Sequence, residues 1–262
     1  MTPRTTSDDQ PRLRVLSPER AQAIHEASLQ VLQHVGYHMP VAEARELLAA
    51  AGARVDGKRV YIPERLVERA LQTLRPVTLY NRLGEPVLPL AEGRVTFGAL
   101  ADTVFVRDPH TCSNRPYHKA DQVWFTTLLD ALPNIDYVQC VGQAVDVPSS
   151  LQTQIAVLQT VRHTTKPLWA LPYDRRGLLD ILDCLEIVAG GRARLREKPF
   201  MICVSVPAAP LYGTPENIEV LLACAETETP VITYSCPALA ATVRAVWPVH
   251  LCYATRIGWR MW

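Results

Sequence analysis

IDYVQCVGQAV at 135–145 opens a series of four apolar runs, continued by KPLWALPYD (166–174), KPFMICVSVPAAP (198–210) and TPVITYSCP (229–237). Between them lie SSLQTQIAVLQTVRHT (149–164), RRGLLDILDCLEIVAGG (175–191) and TPENIEVLLACAETE (214–228), whose apolar residues recur at helical spacing. Short apolar strands alternating with helical segments indicate a parallel sheet with crossover helices. The spacing places strands at 136–145, 167–173, 200–206 and 230–236, one per roughly 30 residues. A dinucleotide-binding sheet would need a Gly-rich turn after an early strand, and none is present. The strands run instead into polar or Pro-containing ends, AVDVPSS, ALPYD, SVPAAPLYG and YSCP. Loops of that kind build the active sites of TIM barrels. The expected fold is α/β: a partial TIM barrel with an N-terminal helical and small β elaboration.

Upstream of these strands, the chain changes character. LSPERAQAIHEASLQVLQHVGY (16–37) reads as a helix capped by Ser17, with Pro18 in its first turn and Gly36 at its end. VAEARELLAAAG (41–52) is a second helix. ARVDGKRVYIP (53–63) is a hairpin turning at Asp56-Gly57, and PERLVERALQTL (63–74) is a third helix. VTLYNR (77–82), PVLPLAE (86–92) and RVTFGALADTVFVRD (94–108) read as short strands, DPHTCSN (108–114) as a turn, and HKADQVWFTTLLDAL (118–132) as a helix. The expected divisions are a disordered arm at 1–16, a cap of helices and hairpins at 17–112, a partial barrel at 113–237 and an anomalous tail at 238–262.

That tail departs from everything before it. No acidic residue follows Glu228, and Trp247, Trp259 and Trp262 are three of the five tryptophans. ALAATVRAVWPVHLCYATRIGWRMW (238–262) carries no clean period. The reading is a frameshift or truncation after about Pro237, with an irregular C-terminal segment as the alternative. Four strands cannot close an eight-stranded cylinder, so open sheet edges and poor solubility are expected.

The 262 residues carry 27 basic and 26 acidic side chains, a net charge of +1 that gives no case for nucleic acid or an anionic membrane. No stretch is long and apolar enough to span a bilayer, and the polar N-terminus MTPRTTSDDQPRLR lacks a secretory core; a cytoplasmic location is expected. The seven cysteines are scattered without a C-x-x-C pair and read as reduced core thiols. His25, His34 and His38 lack metal-ligand spacing, and no H-E-x-x-H, G-x-S-x-G or P-loop motif occurs. No protein-bound metal is expected.

Several stretches resemble the trimethylamine methyltransferase family, which includes glycine betaine methyltransferases: LSPERAQAIHEASLQVLQHVGY, EARELLAAAGARVDGKRVYIPERLVERAL (43–71), DALPNIDYV (130–138), TTKPL (164–168), and VPAAPL (206–211) with the helix and strand after it. The resemblance covers about 17–237 by order and spacing rather than by one motif. It implies transfer of a methyl group from a methylated amine, such as trimethylamine or glycine betaine, to a corrinoid protein. The cobalamin-type cofactor would be supplied by that partner, with none bound directly here, and assembly as a homo-oligomer stays open. A non-catalytic half-barrel fragment is the second reading, and an unrelated TIM-barrel lyase or isomerase the third.

Such chemistry needs a pocket that holds a cation, aligns its C–N bond and excludes water. Aromatic faces and carboxylates near strand ends suit that task. By position the substrate-binding candidates are Asp102, Asp146, Tyr173, Ser205, Tyr212 and Tyr234, with Thr103 and Asp174 beside them. Each has a plainer reading: Asp146 and Asp174 as caps, Asp102 as a turn residue, and the tyrosines as packing groups.

Overall fold

The computed structural model describes residues 15–90, 95–99, 103–140, 142–208 and 210–234. Helix α1 (Pro18–Gln30) starts where Ser17 accepts a hydrogen bond from the Arg20 amide. It continues as a π-helical turn, Val31–Val35, and ends at Gly36 with φ of 74°. Strand β1 (Tyr37–His38), helix α2 (Ala42–Ala50), strands β2 (Arg54–Asp56) and β3 (Arg59–Tyr61), and helix α3 (Glu64–Gln72) follow. The three strands form an antiparallel sheet in the order β1-β3-β2. Gly57, at φ of 56°, makes the expected hairpin turn. Pro63 stands just outside α3, at its N-cap.

Two hairpins come next, β4 (Val77–Tyr80) with β5 (Pro86–Leu90), and β6 (Phe105–Arg107) with β7 (Asn114–Pro116). Helix α4 (Lys119–Ala131) leads to β8 (Val138–Gln139). The rhythm then runs α5 (Gln152–His163), β9 (Leu168–Ala170), α6 (Arg175–Ala189), α7 (Arg192–Glu197), β10 (Met201–Ser205), α8 (Pro215–Thr227) and β11 (Val231–Thr233). Strands β8 to β11 are parallel and lie side by side in chain order. The alternation of the sequence therefore becomes a sheet wound in one direction.

Strand parity decides what each face meets. Leu168, Ala170, Met201, Cys203 and Val231 pack on Val157 and Val161 of α5, on Leu178, Ile181, Leu182 and Leu185 of α6, and on Val220, Ala223 and Cys224 of α8. Trp169, Ile202, Val204 and Ile232 point the other way, against Leu79, Leu88 and Leu90 of the β4–β5 hairpin. Helices thus cover one face, and this hairpin covers part of the inner one. The Tyr80 amide donates to the Pro199 carbonyl and the Arg82 amide to that of Thr165, so the hairpin sits at the N-terminal ends of β9 and β10. Every side chain of β10 is buried, and each fully buried aliphatic residue contributes about 1.5–3 kcal/mol. Ile202→Ala would cost about 2–5 kcal/mol, because the sheet and the hairpin pack on it from both sides.

The sheet is wider than its named strands. Gly98 bridges Tyr137, and Thr103 bridges Gly142, both parallel and in one register. The Gln143 amide donates to the Thr103 carbonyl. Gly98 and Thr103 thus lie beside the residues that flank β8. The anomalous tail and Asp102 lie outside the described residues.

Candidate functional site

The Asp146 carboxylate accepts from the Lys119 amide at 2.8 Å, which spends it on the first turn of α4. Asp174 caps α6 through the Gly177 amide at 2.7 Å. Tyr173 is 78% exposed beyond β9. Ser205 is buried on the helix side of β10, where its hydroxyl accepts from the Asn217 side-chain amide at 2.7 Å. Strand parity explains this: Ser205 shares the face of Cys203, whereas the inner face falls to Val204 and Val206.

Tyr212 belongs to a clamp between the N-terminal sheet and the loop after β10. The His38 amide donates to the Leu211 carbonyl, and the Gly213 amide donates to the His38 carbonyl. The His38 and Tyr212 rings stack with centroids 4.9 Å apart. Gly213 has no room for a side chain, since a Cβ there would lie 2.7 Å from Ile218 of α8. Burial pushes the Tyr37 phenol, beside this clamp, up to about 12.

Tyr234 takes a different position. It packs on the inner-face cluster with Tyr137, Trp169, Leu171 and Val206. Tyr137 and Trp169 stack with centroids 4.1 Å apart and planes 12° from parallel. Burial, with the neighbouring Tyr234 and Asp136, raises the Tyr137 phenol. Trp169 is only 7% exposed, and its indole N–H has no hydrogen-bond partner among the described residues. An unpaired buried donor costs about 1–3 kcal/mol. Gly98 is required here, because a Cβ at that position would lie 2.1 Å from the Tyr137 ring.

At the C-terminal end of β8, Gln139, Cys140, Gly142, Gln143, Gln152 and Leu171 line a cavity of about 20 Å³, room for a single water. Beneath it runs a buried polar chain. The Tyr117 hydroxyl donates to Gln122 at 2.9 Å, and the Gln122 amide donates to Thr126 and Thr160 at 3.0 and 2.9 Å. Among the described residues no group of three His, Cys, Asp or Glu side chains converges as metal ligands. No helix among them is long and apolar enough to cross a membrane.

Of the five expected binding residues that lie among the described residues, Tyr234 alone stands in the cluster with Tyr137 and Trp169. Tyr137 and Trp169 escaped the sequence reading because Tyr137 stands just before β8 and Trp169 within β9, not in the loops beyond the strands. Counting alternate positions along 166–171 would have placed Trp169 opposite the helix-facing Leu168 and Ala170.

The sequence profile of the family described as trimethylamine methyltransferase (MTTB) matches residues 2–248. Trimethylamine methyltransferase MttB of Desulfitobacterium hafniense (strain DSM 10664 / DCB-2) is 30% identical over 82% of this chain and 44% of its own length. Glycine betaine methyltransferase of Desulfitobacterium hafniense (strain Y51) is 24% identical over 86% of this chain and 47% of its own length. Proline betaine:corrinoid methyltransferase of Eubacterium limosum is 30% identical over 53% of this chain and 28% of its own length. The chain thus spans less than half the length of these relatives.

Proposed function

We propose a function from one premise: the chain belongs to the trimethylamine methyltransferase family. The activity is transfer of a methyl group from a tertiary or quaternary methylated amine to a corrinoid carried by a separate protein. The sequential, singly wound parallel sheet is an arc of a TIM barrel, and the face of the sheet turned away from the helices, with Tyr234 just past the end of β11, forms one wall of the substrate site.

The Tyr137–Trp169 stack beside Tyr234 carries this reading. A methylated ammonium group is attracted to aromatic faces by about 0.5–2 kcal/mol per ring, more as water is removed. The partner's corrinoid supplies the nucleophile that accepts the methyl group. The residues of this chain hold the cation, orient one C–N bond toward the mouth and exclude water. A quaternary ammonium needs no proton on departure, because the amine leaves neutral. The unpaired Trp169 N–H further favours a substrate that brings its own acceptor, which a betaine carboxylate does and trimethylamine does not.

Calorimetric titration of the 262-residue chain tests this. Glycine betaine is expected to bind saturably, and 3,3-dimethylbutanoate, which puts carbon in place of the charged nitrogen, at least several-fold more weakly. Equal binding of the two would remove the cation site from the argument. Methyl transfer that proceeds without a corrinoid protein would remove the reaction.

A further inference from the structure

Gln139 breaks the pattern of the parallel sheet. It closes β8 and is only 8% exposed. By parity it shares the face of Tyr137, and its register partner on β9 is Trp169. On the neighbouring strands that face carries Trp169, Ile202, Val204 and Ile232, all aromatic or aliphatic. Yet the Gln139 carboxamide makes no hydrogen bond with any described residue. Gln122, the other buried glutamine, shows the contrast: it accepts from Tyr117 and donates to Thr126 and Thr160. A buried amide without partners destabilises a fold, and a native chain keeps one where something else completes it.

What could complete it is set by the space beside it. Gln139 borders the cavity at the end of β8, which has room for one water or one oxygen atom of a ligand. Leu171 also lines that cavity and belongs to the cluster of Tyr137, Trp169 and Tyr234, so the cavity adjoins the aromatic stack. Gln152 lines it too, but its side-chain amide already donates to the Ala144 carbonyl. Beside Gln139 in the register stands Trp169, whose N–H is likewise unpaired.

We propose that Gln139 is a specificity-determining residue: its carboxamide N–H donates to a carboxylate oxygen of a zwitterionic methylated amine whose ammonium group lies against the Tyr137–Trp169 pair. This rests on the proposed cation site at that pair. Two residues of extended chain span about 6–7 Å, which suits a small betaine plus one hydrogen bond. A neutral amide fits the task, because it donates without repelling the ammonium group as a lysine or arginine would.

Two substitutions in the 262-residue chain test it, each titrated with glycine betaine and with tetramethylammonium, which has no oxygen. Gln139→Met is close in volume and removes the donor. The ratio of glycine betaine to tetramethylammonium affinity is expected to fall at least tenfold, and the melting temperature without ligand to stay level or rise, since the lost amide had no partner. Gln139→Glu keeps the shape, sets a like charge against the carboxylate and is expected to lower the ratio further. A ratio unchanged in both variants overturns the inference and leaves the cavity to a water molecule. A melting temperature lowered by more than a few degrees in Gln139→Met also overturns it, because the amide would then be a structural tie. A parent chain that binds tetramethylammonium but not glycine betaine overturns the role of Gln139 alone, whereas one that binds neither sinks the cation site and Gln139 with it.

Discussion

The Tyr137 ring, just before β8, lies flat on the Trp169 indole of β9, centroids 4.1 Å apart. The Trp169 N–H in this stack has no hydrogen-bond partner among the described residues. On the proposed function, the pair holds a methylated cation that carries an acceptor.

Trp169→Phe keeps an aromatic face and deletes the N–H. The variant is expected to bind tetramethylammonium about as well as the parent, while glycine betaine weakens by about 1.5–3 kcal/mol, the size of a hydrogen bond to a charged group. Titration of both ligands against both proteins gives the result. A parallel loss for the two ligands would show that the N–H does not select an acceptor.

Gly98→Ala places a methyl group 2.1 Å from Tyr137 ring atoms, so the ring must leave Trp169. The cost is expected to be about 1–3 kcal/mol in urea unfolding, as for other overpacked sites. Tyr137→Ala in the same chain should remove most of the penalty added by Gly98→Ala. A double variant whose losses simply add would contradict the contact.

Gln122 joins Tyr117, Thr126 and Thr160 in a buried chain. Gln122→Leu has nearly the same volume but leaves those hydroxyls without it. Each buried polar group stranded in this way costs about 1–3 kcal/mol. A loss under about 0.5 kcal/mol, typical of surface changes, would mean that the chain is not the tie between α4 and α5.

Arg115 forks onto Asp121 at 2.7 and 2.8 Å and reaches Asp108 at 3.1 Å. Hydrogen bonds from Arg115 hold the Asp121 carboxyl below its ordinary value of 3.8. The Asp108 carboxyl is lowered first by the Thr111 amide and then by Arg115. A lowered carboxylate stabilises the fold above its unfolded-state pKa, and that contribution fades as pH falls through the folded one. Melting temperature should therefore drop as pH falls below about 4. Arg115→Met should lower the plateau near neutrality and shrink the acid-side drop. An unchanged acid limb in the variant would rule this cluster out as its source.

How much of this was legible beforehand differs by level. The alternation of strands and helices, the caps at Ser17 and Asp174, and the turns at Gly36 and Gly57 were readable, since spacing, capping chemistry and glycine's freedom at positive φ act within a few residues. Family membership was readable too, because order and spacing survive in the sequence. Asp146 and Ser205 stood at strand ends, as barrel-site residues do, yet one caps α4 and the other holds α8. Their partners are distant in the chain or on the opposite face, and no local pattern records them.

Sequence by itself determined most of the elements, their order and the family, because these follow from local periodicity and turn chemistry, while the short helix α7 was not read from it. Tertiary structure alone decided that Tyr137 meets Trp169, that Gly98 and Thr103 bridge Tyr137 and Gly142, and that Gln122 of α4 is buried against Thr160 of α5. Those facts depend on register and on which faces meet across the fold, and long-range packing sets both.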